Sequence, residues 1–330
     1  MKLSDFDYYL PEELIAQVPV EPRDSSRLMV VRRDTGSIEH RIFRDIVEYL
    51  RPGDVLVLNN SKVIPARLFG HIDEKQIEIL LVQKVGEKTW KCLVRPAKKF
   101  KPGVLAHLSS GIVAKCLDRC EEGMRLIEFN VDDEELLKVG EAPIPPYVKT
   151  KIPLERYQTV YAKVAGSIAA PTAGFHFTET LLEKIRSMGV QTVEVTLHVG
   201  IGTFRPVKVE NIEQHRMHAE RYSIPPKVVE IIRQAKSQGH RIIAVGTTVV
   251  RTLESFARTN LTEGETDLFI YPPFEFKIVD ALITNFHLPR STLLMLVCAF
   301  AGHQLIMNAY QEAVKQRYRF YSFGDAMFIL

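Results

Sequence analysis

The chain has 330 residues, 46% hydrophobic and 25% charged, which excludes large-scale disorder and suits one large domain with a smaller companion. Its 43 basic and 40 acidic residues leave a net charge of +3, too small to announce a nucleic-acid binder but compatible with a local basic patch. The four cysteines, Cys92, Cys116, Cys120 and Cys298, form no C-x-x-C pair and have no neighbouring histidine to complete a zinc set, so free thiols in a reducing compartment are expected.

The opening heptapeptide carries two acids, with no apolar core after it, so no signal peptide is expected. Pro11 followed by Glu12 and Glu13 predicts a short helix start. Leu28–Val31 and Val55–Leu58 are apolar runs bounded by turn residues, as in buried strands. From Val63 to Val131 short β-rich segments recur: Ala66–Ile72, Ile77–Val82, Trp90–Val94, Ile112–Leu117 and Arg125–Phe129. That spacing predicts a small barrel or sandwich, ending in a proline-rich linker at Pro143, Pro145 and Pro146. Within it Arg95, Lys98, Lys99 and Lys101, beside Trp90 and Phe100, form a candidate phosphate-binding patch. A lysine-protected strand edge is the competing account.

The second half alternates strands with helices: Val190–His198, Lys227–Gln238, Arg241–Val245, a helix through Val249, Leu253 and Phe256, then Val279–Ile283. Leu293–Ala301 is apolar but, at nine residues, reads as a buried helix capped by Ser291 rather than a membrane span. The alternation predicts an α/β fold: a mixed β-sheet with flanking helices over residues 1–61 and 152–330, with a small β-barrel domain inserted at 62–151.

In open α/β sheets, ligands collect where strands end and helices begin, and three such junctions carry functional groups. At Leu197–Phe204, His198 is followed by Gly200, Gly202 and Thr203, a loop that admits close backbone approach but lacks the dinucleotide-binding glycine pattern; a hairpin with a buried histidine is the simpler account. At Val245–Arg251 a glycine turn leads into Thr247 and Thr248, with Arg251 one turn on, a candidate anion site at a helix N-terminus. At Thr284–Ser291 a polar loop holds Asn285, His287 and Arg290. Upstream, small residues surround His176 ahead of a helix capped by Thr178. His215, His218 and Glu220 give H-x-x-H with a nearby carboxylate, a conceivable but irregular metal site.

These segments carry a family resemblance. The runs Asp5–Pro11, Ser26–Leu28, Val63–Leu68, Arg95–Lys99, Ala169–Thr178, His198–Phe204, Met217–Glu220, Val245–Arg251, Asp280–Leu294 and Tyr318–Met327 resemble, in order, the S-adenosylmethionine:tRNA ribosyltransferase-isomerase family of queuosine biosynthesis. The likeness covers nearly the whole chain. Phe175 departs from it, standing where the family more usually has leucine.

The resemblance implies an α/β domain with an inserted barrel. It also implies transfer and rearrangement of the ribosyl part of S-adenosylmethionine onto 7-aminomethyl-7-deazaguanine at the tRNA wobble position. The products are epoxyqueuosine-tRNA, adenine and methionine; S-adenosylmethionine is a consumed substrate, and no cofactor or metal is implied. A base must remove the ribose C5′ proton acidified by the sulfonium, which suits neutral histidine. The expected acid/base pool is His176, His198, His218 and His287, with Glu220 orienting one of them. Gly200, Gly202, Thr203, Thr247, Thr248, Arg251 and Asn285 are expected to bind substrate, with the methionine carboxylate near Thr247, Thr248 and Arg251. A monomeric cytoplasmic enzyme is expected. The alternatives are a metal-dependent hydrolase using His215, His218 and Glu220, and a non-catalytic tRNA-binding module using the barrel's lysines.

Overall fold

A computed structural model describes residues 1–150, 152–200, 202 and 207–330. The strands of the first third are β1 (Arg27–Val31), β2 (Ile38–Ile42), β3 (Val55–Asn59), β4 (Ser61–Val63) and β5 (Arg67–Ile72). Then follow β6 (Lys75–Lys84), β7 (Thr89–Arg95), β8 (Leu105–Leu108), β9 (Val113–Arg119) and β10 (Arg125–Phe129), with helix α1 (Asp133–Lys138). The remaining strands are β11 (Val164–Ser167), β12 (Gln191–Leu197), β13 (Glu220–Ser223), β14 (Ile242–Val245), β15 (Glu263–Thr266), β16 (Ala281–Asn285) and β17 (Ala326–Ile329). Among them lie α2 (Glu179–Ser187), α3 (Pro226–Ser237), α4 (Thr247–Thr259), α5 (Thr292–Ala301) and α6 (His303–Lys315).

Among the described residues nine strands build one mixed sheet, ordered β15-β13-β12-β3-β14-β16-β17-β1-β2. Strands β12, β3, β14 and β16 are mutually parallel, while β17 runs antiparallel to β16 and pairs in parallel with β1. Both faces of the central strands β3, β14, β16, β17 and β1 are covered, so these are apolar on both sides, while β12 and β13 alternate. Val55 and Val57 join one core cluster with α3, α4 and α5; Leu56 and Leu58 join the other with Phe43, Ile46 and α2. The helices start and stop where their sequences dictate. The Thr178 hydroxyl accepts from Leu181 N–H and that of Ser291 from Leu294 N–H, satisfying donors that α2 and α5 would otherwise leave open. No single described helix is long and apolar enough to cross a membrane; α5 and α6 meet at 117°.

The insertion is a closed antiparallel barrel, ordered β10-β7-β6-β5-β8-β9. Alternate residues such as Ile77, Ile79 and Leu81 point inward and are at most 1% exposed. Burying each contributes about 1.5–3 kcal/mol relative to leaving it in water. The barrel's neck is tight: Arg67 bridges Glu141, and a Cβ on Gly140 would lie 1.8 Å from the Pro65 carbonyl oxygen, so only glycine fits there. The chain beyond the neck is not the free linker its prolines suggested. The Gln17 side chain donates to Tyr147 O at 2.9 Å and accepts from Lys149 N–H at 2.8 Å, binding this stretch to the main domain.

Candidate active site

Strand order reverses around β3: the chain returns beside it first as β12 and later, on the other side, as β14. Such switch points open a crevice beyond the carboxyl ends of the strands. A cleft with a cavity volume of about 110 Å³, partly open to solvent, lies there. Its wall includes Val199 after β12, Gly246, Thr247 and Thr248 after β14, and Asn285 and His287 at the end of β16. Thr172 and Tyr321 close it from the loops before α2 and β17.

Each group is held by local structure. Gly246 has φ of +93°, which permits the sharp turn from β14 into α4 and leaves the first N–H groups of a 13-residue helix at the cleft. Asn59, at the end of β3, clamps this corner: its amide donates to Leu197 O at 3.0 Å and to Thr248 Oγ1 at 3.3 Å. The His287 ring is 8% exposed, and its Nε2 lies 2.7 Å from Thr284 Oγ1. Burial pushes the His287 imidazole down to about 3, so it is neutral throughout the physiological range.

His176 stands one layer behind the wall. It is 3% exposed, stacks on Phe43 at 4.9 Å between ring centroids, and uses both ring nitrogens: Nδ1 with Ser26 Oγ at 2.7 Å and Nε2 with Asn285 Nδ2 at 3.1 Å. Burial, assisted by Arg319 and Arg23, pushes it also to about 3.

Several sequence expectations change here. His198 is not part of the cleft wall; β12 turns Val199 inward and lays the His198 ring against Gly166 of β11, where a Cβ would meet it at 2.8 Å. Burial and Arg221 lower its pKa. His218 is likewise outside the wall, packed against Gly202. Thr203 lies outside the described residues.

Glu220 is engaged by backbone and arginine among the described contacts. It forms a buried ion pair with Arg251, and its other oxygen accepts the Gly200 N–H at 2.8 Å. Arg251 is not in the cleft wall: it is turned to Glu220, and its Nε and Nη2 donate to Leu268 O at 3.1 Å and Thr266 O at 3.0 Å. The metal reading loses its carboxylate in the same way, and among the described residues no three His, Cys, Asp or Glu side chains are grouped to hold an ion.

On the barrel, Arg95, Lys98, Lys99 and Lys101 are all exposed, and Lys75 stands close enough to Lys99 to lower its pKa. Trp90 and Phe100 are not aromatic partners of this patch; both are buried, with Trp90 Nε1 donating to Asp133 at 3.0 Å.

Sequence reasoning missed four residues that shape the cleft: Ser26, Tyr147, Thr172 and Tyr321. Tyr147 and Tyr321 stack at 4.5 Å on the cleft wall, and Tyr321 has φ of +72°, a rare conformation for a bulky residue. No motif announces it; it follows from where β17 is entered.

A family model described as "Queuosine biosynthesis protein" matches residues 3–329. Curated relatives named S-adenosylmethionine:tRNA ribosyltransferase-isomerase include those of Thermotoga maritima, 62% identical, and Desulfitobacterium hafniense, 54% identical, each aligned over 100% of both chains. A solved structure, that of S-adenosylmethionine tRNA ribosyltransferase from Thermotoga maritima at 2.00 Å resolution, is similar with a TM-score of 0.60 and 52% identity. The match spans 99% of this chain and 100% of that one.

Proposed function

The chain belongs to the queuosine biosynthesis protein family, and on that premise we propose that it is an S-adenosylmethionine:tRNA ribosyltransferase-isomerase working in the cleft beyond β3. It transfers the ribosyl part of S-adenosylmethionine to 7-aminomethyl-7-deazaguanine at the tRNA wobble position and rearranges it. The products are epoxyqueuosine-tRNA, adenine and methionine. The observation that carries this reading is a cleft combining a helix N-terminus with a buried neutral histidine at a topological switch point.

The residues divide the work as follows. The N–H groups at the start of α4, with Thr247 and Thr248, take the methionine carboxylate, since unpaired amide donors and the helix dipole favour an anion. His287, in the cleft wall with its Nε2 on Thr284 Oγ1, is the residue assigned to take the C5′ proton made acidic by the sulfonium. Glu220 and Arg251 act indirectly, by fixing the Gly200 backbone beside the cleft. The exposed cations Arg95, Lys98, Lys99 and Lys101 contact tRNA phosphates. S-adenosylmethionine is consumed as a substrate without a further cofactor, and the enzyme acts as a monomer in the cytoplasm.

The test supplies ribose-labelled S-adenosylmethionine and an anticodon hairpin carrying the aminomethyl-deazaguanine base. Label in the RNA, with free adenine and methionine, is expected. Label remaining in small molecules would overturn the assignment.

A further inference from the structure

The hydrogen-bond chain behind the cleft wall has only one consistent set of proton positions. The Tyr321 carbonyl can only accept, so the Asn285 amide must turn its NH₂ toward it, at 3.3 Å. That orientation makes Asn285 Nδ2 the donor to His176 Nε2 and leaves Oδ1 to accept from the Thr172 hydroxyl at 2.9 Å. With Nε2 accepting, the His176 proton sits on Nδ1 and is donated to Ser26 Oγ. Asn285 and His176 are buried, and the ring is locked against Phe43. Thr172 is the half-buried end of this chain and lines the cleft.

We infer that Ser26, His176 and Asn285 form a fixed relay that commits the Thr172 proton inward and makes Thr172 an obligate hydrogen-bond acceptor for a ribose hydroxyl in the cleft. With its own proton held by Asn285, Thr172 Oγ1 offers only lone pairs, so the facing ligand group must be a donor. The inference rests on the assignment above: Asn285 stands two residues before His287, which is assigned to the same ribose, so a sugar hydroxyl is the donor within reach. His176 is then a positioning residue, not the proton acceptor of the reaction.

The experiment measures binding of S-adenosylmethionine and its 2′-deoxy and 3′-deoxy analogues to the full chain. The wild type is expected to bind one deoxy analogue about tenfold more weakly than the parent, the scale of one hydrogen bond. Thr172→Val is expected to weaken the parent by a similar factor and to erase the discrimination, which Thr172→Ser restores. Selective ¹⁵N labelling of histidine, with the His176 signal assigned by His176→Gln, should show Nδ1 protonated and Nε2 bare. A Thr172→Val protein that still discriminates as the wild type does, or an Nε2-protonated ring, overturns the relay. Wild-type turnover with the hairpin is read in parallel. Binding without ribosyl transfer sinks the functional assignment alone, and normal transfer with unchanged discrimination sinks the relay alone.

Discussion

Replacing Arg251 by methionine isolates the buried ion pair that holds the Gly200 loop. The Arg251 and Glu220 side chains are only 5% and 3% exposed. Methionine retains much of the packing volume but removes the charge and the donors to Leu268 and Thr266. Glu220 is then left as a buried carboxylate with the Gly200 N–H as its remaining hydrogen bond among those described. Breaking one side of such a pair costs about 3–5 kcal/mol, most of it the penalty for an uncompensated buried charge. Removing both charges, in Glu220→Leu/Arg251→Met, is expected to cost less than Arg251→Met alone, because no charge is stranded. Urea unfolding of the wild type, both single variants and the double variant closes the cycle. An Arg251→Met loss below about 1 kcal/mol, or a double-variant loss equal to the sum of the singles, would refute the account.

Three further outcomes are expected. His287→Gln should lower kcat for ribosyl transfer by about 10²–10⁴ if the imidazole takes the C5′ proton; turnover within a few-fold of wild type removes it from that role. The same substitution should also change the pH dependence of stability. The folded-state pKa of His287 lies at about 3, below the unfolded value of ~6.5, so the native protein binds fewer protons between them. Its contribution is complete above pH ~6.5 and is lost as pH falls toward 3. Over roughly pH 4–6 the unfolding free energy of the variant should therefore vary with pH by about 1.4 kcal/mol per unit less than that of the wild type, and equal slopes would contradict the burial argument. Finally, Lys98→Ala/Lys99→Ala should weaken hairpin binding and flatten its dependence on log salt by about 1.4, two phosphate contacts at the single-strand value. An unchanged slope would move the RNA off this face of the barrel.

Much of the fold was legible because hydrophobic periodicity and turn residues agree locally. Strands expected at Ala66–Ile72, Ile77–Val82 and Trp90–Val94 occur as β5, β6 and β7, and Ser291 and Thr178 cap the helices they precede. The strand Leu105–Leu108 was missed: it has four residues and lies between Pro102-Gly103 and Ser109-Ser110-Gly111, so turn signals outweigh its pattern. Gly246–Thr248, Asn285 and His287, singled out at the junctions from residue type, all line the cleft. Their partners were not legible. That Glu220 meets Arg251 depends on the pairing of β13 with β12 and β15, and that His198 faces away depends on the parity of β12, where one residue's slip would exchange faces. Ser26 and His176 are 150 positions apart and are joined only by tertiary packing.

The pinched neck between Pro65 and Gly140 also bears on how this architecture can diverge. Both crossings of the insertion touch backbone to backbone, and none of the strands that carry the cleft belongs to the barrel. Insertions or deletions at turns far from the neck, such as that joining β6 to β7, extend into solvent and leave the register of β3, β12, β14 and β16 untouched. The cationic surface of the barrel and the cleft of the main domain are thereby free to drift at different rates, with the glycine at the neck as the point they share.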